Sequence, residues 1–336
     1  MLQMVNRSLS ETVLVLSQMV KEYVNLNCTQ PRTMLILLLQ TMRNFVPFTT
    51  GETAYNNAMN SLGFRYAIWP SSSLIPLTST TAAVFAPIVF TNSNNGAFNY
   101  AGTTLLSISV PQFSYGRSGP IAERANNLIF PDNFPEFGCV GGIRSWGSQG
   151  IGGDDGSVYI MATDTYGMLL ARTSAASIGD ASSYSFYNGL TKTWSSTMPV
   201  AGTGQTWING SFSNADVFYS PRHKTFLMVW QDDYIDNKFL WSYLMAPEPI
   251  VPAYDGTDYV VEILNYAWSE TQTLFQAPTP AAGYAYSGGV QMGYFEEDDV
   301  VNGGAKMLIT WTAESGQAAG SMAGGYSLMS AIINWE

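Results

Sequence analysis

Two patterns of apolar and polar residues divide the chain near residue 44. In the first part, apolar residues recur at the spacing of an amphipathic helix: Leu9, Val13, Leu16, Met19, Val20 and Val24. From about Phe45 onward, short apolar stretches alternate with Gly, Pro, Asn and Ser, which is typical of short strands joined by turns. Among these later stretches, 120–128 is also compatible with a helix. The pattern predicts a divergent segment over 1–43, helical or poorly ordered, followed by one β-rich domain over 44–336.

A pair of strands recurs along the β-rich part. The first strands of the pairs cover 82–90, 157–164, 224–233 and 306–314, and the returning strands cover 103–110, 168–172, 239–244 and 326–333. Successive pairs lie about 75 residues apart, a period that suits a propeller blade with long loops. The spacing predicts an all-β fold, a five-bladed β-propeller whose first blade is incomplete. A β-sandwich, which also contains strand pairs, is the alternative.

Composition and charge narrow the chemistry. The 336 residues contain 14 Lys and Arg against 25 Asp and Glu, a formal net charge of −11, which argues against nucleic acid and anionic membranes as partners. One histidine and two cysteines exclude zinc fingers, multi-histidine metal sites and a disulfide scaffold. We therefore expect no cofactor and no metal in the site, although the acidic run 296–299 leaves a weak calcium alternative. We also expect a monomer.

Acidic residues recur at matching places in the repeat. Asp164, Asp232, Asp233 and Glu314 each lie at or just beyond the end of the first strand of their pair, and Asp216 lies near the start of a neighbouring strand. If the pairs are equivalent blades, these acids share one end of the propeller. Carboxylates that converge there can supply the acid and the base for cleavage of a glycosidic bond. The alternative is that each Asp only caps a turn.

A glycine-rich stretch over 135–156 contains further candidates. Trp146 can stack on a sugar, Arg144 can bind a carboxylate through two hydrogen bonds, and Glu136 and Asp154 are open as catalytic or structural acids. Asp155, followed by Gly156, is more typical of a hairpin turn before the strand at 157 than of a catalytic acid. The stretch lacks the lysine of a phosphate-binding loop.

The β-strand pair over 216–230 adds two candidates for substrate binding. His223 lies in the turn of this pair, where a solvated histidine is the alternative to a binding role. Trp230 lies near the end of the second strand and is a second aromatic candidate for sugar binding.

Four segments carry a resemblance to a known family: PEFGCVGGIRSWGSQGIGGDDGSVYIMATDTYGMLLART, SSYSFYNGLTKTWSS, WINGSFSNADVFYSPRHKTFLMVWQDD and AKMLITWTAESGQ. Together they resemble a fungal family of secreted, glycoside-hydrolase-like five-bladed propellers, distantly related to bacterial endo-D-arabinanases. The resemblance implies secretion and a polysaccharide or oligosaccharide as ligand. Proteins of this type carry an Asp in the first blade, whereas the corresponding stretch over 31–44 contains no acid. Residues 1–43 are therefore expected to be an altered gene start in place of a signal peptide and first strand.

Three functions follow from these observations. The first is hydrolysis of a polysaccharide, with Asp232 as acid or base and its partner drawn from Asp154, Asp164, Asp216 and Glu136. The second is non-catalytic, lectin-like binding of a saccharide, which the missing first-blade acid favours. The third is a structural or interaction role.

Overall fold

A computed structural model gives the fold over much of the β-rich part. It describes residues 48–71, 74–78, 80–109, 121–144, 156–200, 202–220, 223, 225–232, 237–245, 266–278, 283–290, 306–314 and 326–335. The helix predicted within 1–43 lies outside the described residues. Among the helices of the described ranges, none combines the length and the apolar composition of a membrane-spanning segment.

The described residues form antiparallel strands and one α-helix, α1, over Thr50–Met59. Short 3-10 turns cover Asn60–Leu62, Ala175–Ser177 and Ala181–Ser183. The first strands are β1 Phe64–Ile68, β2 Ile75–Pro76, β3 Thr81–Asn92, β4 Ala97–Ser109, β5 Ile121–Pro131, β6 Gly141–Arg144, β7 Ser157–Asp164, β8 Gly167–Ser174 and β9 Ser185–Asn188. The others are β10 Thr193–Ser195, β11 Ile208–Asn209, β12 Asn214–Ser220, β13 Thr225–Gln231, β14 Lys238–Tyr243, β15 Gln272–Gln276, β16 Tyr284–Val290, β17 Lys306–Glu314 and β18 Tyr326–Asn334.

The strands form four sheets, which we call blades A to D in chain order. Blade A contains β1–β5, blade B contains β6–β11, blade C contains β12–β15 and blade D contains β16–β18. Within each blade, strands that follow one another in sequence pair antiparallel through most of the sheet. In blade A, β1 and β2 both pair with the same edge of β3, β1 with its end and β2 with its beginning.

One inner strand from each blade lies against the inner strands of its neighbours, and these are β2, β6, β12 and β16. Ile75 of β2 contacts Gly142 of β6 so closely that a Cβ on this glycine would lie 2.4 Å from the Ile75 side chain. Ala215 of β12 donates its N–H to the carbonyl of Val140, which directly precedes β6 (3.2 Å). Sheets whose inner strands meet in sequence order form a propeller-like arrangement of four blades over the described residues.

The predicted strand pairs are confirmed, but their place within the blade is different. Pairs β3–β4, β7–β8, β13–β14 and β17–β18 match the four predicted pairs. However, the strands interpreted as the first of each repeat are second strands, because β2, β6, β12 and β16 lie inside them. These inner strands are short or contain Gly and polar residues, so they lack a strong apolar signal.

Two local predictions were wrong. Within the predicted stretch 120–128, the described residues 121–128 do not form a helix, since Ile121–Pro131 is a strand that pairs with β4 and begins with alternating exposed and half-buried residues. Backbone pairing with the edge of an existing sheet outweighed the local helical pattern. Conversely, α1 was predicted as part of the strand-rich region. Its start carries a capping box between Thr49 and Glu52, a sequence signal that identifies the helix in hindsight.

The apolar core fills the spaces between adjacent blades. Blades A and B enclose one cluster that contains Phe85, Phe130, Ile160 and Phe186. Blades B and C enclose a second, with Tyr159, Met161, Met228 and Trp230. Blades C and D enclose a third, with Phe239, Phe275, Ile309 and Trp311. Since both faces of blades B and C are covered, their second strands, β7 and β13, are buried and apolar over most of their length.

Blades C and D are also joined by buried polar contacts. The Gln231 side chain is 1% exposed, donates Nε2–H to the carbonyl of Ala285 (2.7 Å) and accepts from the N–H of Gly288 (3.1 Å). Asn237 accepts the N–H of Ala285 through Oδ1 (2.7 Å). These side chains satisfy backbone groups of β16 around its bulge, where the regular ladder is interrupted.

Blade A projects beyond blade B. Ile75 pairs with Ala83 of β3, and Gly142 pairs with Ile160 of β7. Because Ile75 packs on Gly142, Ala83 and Ile160 lie at similar levels along the strand direction. From there, β3 continues nine residues to its end and β7 continues four. The difference of about five residues corresponds to roughly 16 Å of strand. We call this projecting part, residues 64–69, 87–92 and 97–103, the wall. The front face of the wall continues the face of blade A that packs on blade B. The back face is the opposite face of the same sheet.

Helix α1 supports the back face of the wall. The Tyr55 ring packs against Tyr66 at 5.2 Å and Phe90 at 5.8 Å between ring centroids. Asn56 donates to the carbonyl and accepts the N–H of Tyr66 (3.1 and 2.7 Å). The Glu52 carboxylate binds Arg124 of β5 through both oxygens. Aromatic packing and these polar contacts together tie the helix to both edges of blade A.

The ion pair changes the titration of Glu52. Burial disfavours the charged carboxylate, but hydrogen bonds from Arg124 and Thr49 and the charge of Arg124 outweigh it and hold the pKa of Glu52 below its usual value. The pair is well enclosed, because the Arg124 and Glu52 side chains are only 5% and 12% exposed.

The close contact of inner strands predicts the effect of a single methyl group. In Gly141→Ala, the new Cβ would lie 2.4 Å from the carbonyl oxygen of Ala215, so we expect a loss of about 1–3 kcal/mol in the free energy of unfolding. Gly51→Ala is the control, because no atom lies within 4 Å of its Cβ position and the site is helical. Denaturant unfolding checks both variants. Equal stability of Gly141→Ala and wild type contradicts the contact.

Removal of the buried ion pair should loosen α1 from the wall. We expect Glu52→Gln to lower the local stability of residues 50–68 by about 3 kcal/mol at pH 7, because it leaves the Arg124 charge poorly compensated. Since the pKa of Glu52 is lowered in the folded state, the stabilisation is complete above its unfolded pKa of about 4.3 and is lost as the pH falls through the folded value. Hydrogen exchange at pH 7 and thermal unfolding between pH 3 and 7 measure these effects; a difference from wild type that does not shrink at low pH contradicts them.

Candidate functional site

Antiparallel pairing places the strand-end acids at one end of the blades. Strand β12 begins at Asn214, opposite Gln231, and β16 begins at Tyr284, opposite Glu314. The end where β6, β12 and β16 begin is therefore the end where β7, β13 and β17 finish. We call it the acid end. Asp164, Asp232 and Glu314 lie there, as the shared position in the repeat predicted, although only the backbone of Glu314 is described.

Two of the predicted acids bind backbone groups. Asp164 Oδ1 accepts the N–H groups of Thr165 and Gly202 (both 2.7 Å), so this carboxylate holds the β7–β8 turn and a second loop together. Its Oδ2 is buried and has no hydrogen-bond partner. Asp216 Oδ2 accepts the N–H of Val290 (2.7 Å), a contact between blades C and D. Both contacts are typical of structural carboxylates.

Asp232 follows β13 at the acid end and is half-buried. Its backbone is fixed on both sides. The N–H donates to the carbonyl of Lys238 (3.0 Å), and the carbonyl accepts from Ser213 Oγ (2.8 Å). The position of this acid is thus set by the β13–β14 connection and by the start of β12.

The predicted aromatic and histidine residues lie elsewhere. Trp230 is 5% exposed and packs on Phe212 at 5.3 Å inside the core between blades B and C, so its ring does not face solvent. His223 lies at the opposite end of the β12–β13 hairpin from Asp232, with its ring 5.3 Å from that of Trp335. Trp146, Asp154 and the Arg144 side chain lie outside the described residues.

Glu136 lies in the segment that crosses from β5 to β6 at the acid end. The segment turns sharply: Gly138 has φ +82°, its N–H donates to the Met161 carbonyl (2.8 Å), and a Cβ here would overlap the Phe85 ring. The Cys139 N–H donates to the Glu136 carbonyl (3.1 Å). Glycine is required at 138 for both the backbone angle and the contact. The turn thereby places Glu136 at the junction of blades A and B.

Burial raises the pKa of the Glu136 carboxyl. The charged form loses hydration in this half-buried position, so the carboxyl keeps its proton to higher pH than an exposed glutamate does. A raised pKa is the environment that a carboxyl group needs to act as a general acid.

A short chain of polar groups lies beside Glu136. The Tyr100 hydroxyl is 2.7 Å from Thr103 Oγ1, and this oxygen is 3.6 Å from Cys139 Sγ. Burial raises the pKa of the Tyr100 phenol, and the neighbouring Glu136 carboxylate contributes to the rise. Burial also raises the pKa of the Cys139 thiol. Both groups therefore stay protonated at neutral pH, which makes the tyrosine a hydrogen-bond donor and the cysteine a poor nucleophile.

The front face of the wall, which also carries Tyr100, presents two exposed rings. Phe98 lies two residues from Tyr100 on β4, hence on the same face, and is 58% exposed. Trp69 is 44% exposed, and its backbone N–H donates to the carbonyl of Pro87 (3.0 Å). The two ring centroids are 5.3 Å apart.

Trp69, Phe98, Tyr100 and Thr103 were not among the sequence-predicted site residues. The alternation of aromatic residues at 98 and 100 is a weak signal of a shared face. However, only the sheet register shows that Trp69 meets them and that Glu136 is close.

The arrangement combines a proton donor, a phenol and an exposed aromatic surface. These groups suit an uncharged, hydroxyl-rich ligand with apolar faces. Within the part of the chain that the structure describes, no group of three or more His, Cys, Asp or Glu side chains has the proximity that a metal site needs.

Comparison with known proteins supports the fold. The crystal structure of "a putative hydrolase" from Bacteroides ovatus superposes with a TM-score of 0.54 at 16% sequence identity, over 80% of this chain and 62% of that one. The chain thus spans less than two thirds of the length of that protein. Models of known families give no match, and neither do curated proteins. At this identity the likeness establishes a shared propeller-like fold with a protein described as a hydrolase.

The raised pKa of Glu136 predicts a stability gain when its charge is removed. Ionisation of Glu136 opposes folding, because the folded state binds the proton more tightly than the unfolded state does. We expect Glu136→Gln to have a higher melting temperature than wild type at pH 7 to 8. The gain should vanish below about pH 4, where the carboxyl is protonated in both states.

Thermal unfolding across pH 3 to 8 measures this difference. Glu270→Gln, a change of the same kind at an exposed position, should show no such pH-dependent gain. A melting temperature of Glu136→Gln at or below that of wild type at pH 7 contradicts the proposed environment.

Proposed function

We propose that this protein is a glycoside hydrolase that cleaves a polysaccharide at the acid end of the propeller. The observation that carries the proposal is the Glu136 carboxyl, half-buried with a raised pKa at the junction of blades A and B. The fold shared with a protein described as a hydrolase agrees with it. The resemblance of four sequence segments to secreted carbohydrate-active propellers supplies the substrate class.

In this proposal Glu136 donates its proton to the glycosidic oxygen as the bond from that oxygen to the anomeric carbon breaks. Asp232, which lies at the same end of the blades, is the ionised partner. It takes a proton from the water whose oxygen bonds to the anomeric carbon. The products are two shorter saccharides, and the protons on the two carboxyl groups then exchange with solvent to restore the starting state. The Tyr100 hydroxyl is available to bind a sugar oxygen as a donor.

The remaining parts of the proposal concern the protein around the site. We propose that it acts outside the cell as a monomer, and that the propeller comprises five blades. Asp164 and Asp216 are placed in structural roles, because their carboxylate oxygens accept backbone N–H groups. The same observation favours the second candidate, a lectin-like module, since it leaves fewer carboxylates for catalysis.

Hydrolysis assays test the proposal. Wild type is incubated with arabinan, xylan and β-glucan, and the release of reducing sugar is measured. We expect release from at least one polysaccharide, a fall in kcat of about 100-fold or more for Glu136→Gln, and little change for the exposed Glu270→Gln. Because Glu136 acts protonated, the wild-type rate should fall as the pH rises through its pKa.

Two results contradict the proposal in different ways. If Glu136→Gln retains the wild-type rate, Glu136 is not the proton donor. If no polysaccharide is cleaved but one is bound, the lectin-like function replaces hydrolysis. A full rate for Asp232→Asn removes only the partner assignment.

A further inference from the structure

The wall provides a surface that the proposed reaction does not yet use. Its front face presents the exposed ring of Phe98, two residues from Tyr100 on β4, and the exposed ring of Trp69, which packs against Phe98. We propose that these two rings form a saccharide-binding platform that holds the chain of a polysaccharide beside Glu136. The proposal rests on the proposed function for its substrate class but not for its geometry.

Exposure is the first argument. Large aromatic side chains in the rest of blade A are buried between blades, as Phe85 and Phe130 are at 0% exposure on the same face of the same sheet. Trp69 and Phe98 lie on the wall, where β3 extends beyond the end of β7, so that no described strand of blade B covers this part of the face. Rings that remain uncovered at such a height cannot be explained by core packing.

Rigidity is the second argument. The wall is supported from behind by α1, through Tyr55 on Phe90 and through the Glu52–Arg124 pair. The Trp69 backbone is fixed by its hydrogen bond to Pro87. A surface whose backbone is held by strand pairing and by a helix behind it loses little entropy when it binds a ligand. The apolar rings are therefore presented on a preorganised support.

Chemistry commits the platform to a sugar. A saccharide has apolar C–H faces that stack on aromatic rings and hydroxyl groups that need donors and acceptors. Trp69 and Phe98 supply the rings, while Tyr100 and the neighbouring Glu136 supply a donor and a carboxyl group. The planes of the two rings meet at 63°, so they do not form one flat surface. This arrangement fits a polysaccharide in which each sugar ring is rotated relative to the one before it. The net charge of −11 disfavours an anionic ligand.

The test measures binding and kinetics separately. Affinity electrophoresis in gels with soluble arabinan, xylan or β-glucan detects binding without catalysis. We expect wild type to be retarded by at least one polysaccharide and Trp69→Ala and Phe98→Ala to lose most of the retardation. Tyr243→Ala is the matched control, because it removes an exposed ring from the opposite end of blade C and should bind as wild type does.

If the retarding polysaccharide is also cleaved, Trp69→Ala should raise KM about tenfold and leave kcat nearly unchanged, and Trp69→Phe should restore most of the loss. Circular dichroism melting curves of each variant show whether it is folded. Phe98→Ala provides a second variant if Trp69→Ala does not fold, because Phe98 takes no part in the backbone hydrogen bond between Trp69 and Pro87.

The outcomes separate this proposal from the proposed function. Binding that depends on Trp69 and Phe98 without any cleavage supports the platform and overturns hydrolysis. Cleavage that depends on Glu136, with unchanged KM in both aromatic variants, supports hydrolysis and overturns the platform. If none of the three polysaccharides retards wild type, the platform is overturned as well.

Discussion

Close contact between the inner strands of adjacent blades is the constraint on which this structure depends. Gly141 and Gly142 let β6 approach Ala215 on one side and Ile75 on the other, and side chains larger than glycine would overlap both neighbours. The approach aligns the blades, so that large side chains of the second and third strands meet in the spaces between them. Inner strands can therefore be short and weakly apolar, while their neighbours supply the hydrophobic stabilisation.

The same alignment creates the candidate site. The chain must cross from the outer strand of blade A to the inner strand of blade B, and this crossing carries Glu136 into the junction between them. Burial that stabilises the junction also removes water from the carboxyl and raises its pKa. Above the junction, the long β3–β4 hairpin extends beyond the described strands of blade B, and α1 packs on its back face. A half-buried carboxyl group and exposed rings thus lie where packing between the described sheets ends.

Prediction from sequence was accurate for strong apolar runs and poor for the residues between them. The pairs near 86, 160, 228 and 309 were found because each contains a buried apolar strand of about seven or more residues. Of the inner strands, β12 was predicted over 216–219, whereas β2 and β6 were missed, since β2 is two residues long and β6 four. Acids at strand ends were placed at one end correctly, but Asp164 and Asp216 bind backbone N–H groups, which depends on loops distant in sequence. Trp230 was predicted for a ligand and lies in the core.

The sequence by itself determined the strand content, the order of the repeating pairs and the negative net charge, because these depend on local apolar patterning and on composition. Only the tertiary structure decided which aromatic rings are buried and which are exposed, because that depends on how far each blade extends beside its neighbour. It also decided that Glu136 lies beside Tyr100 and that Trp69 packs on Phe98, since residues 36 and 29 positions apart meet only through sheet register and blade packing.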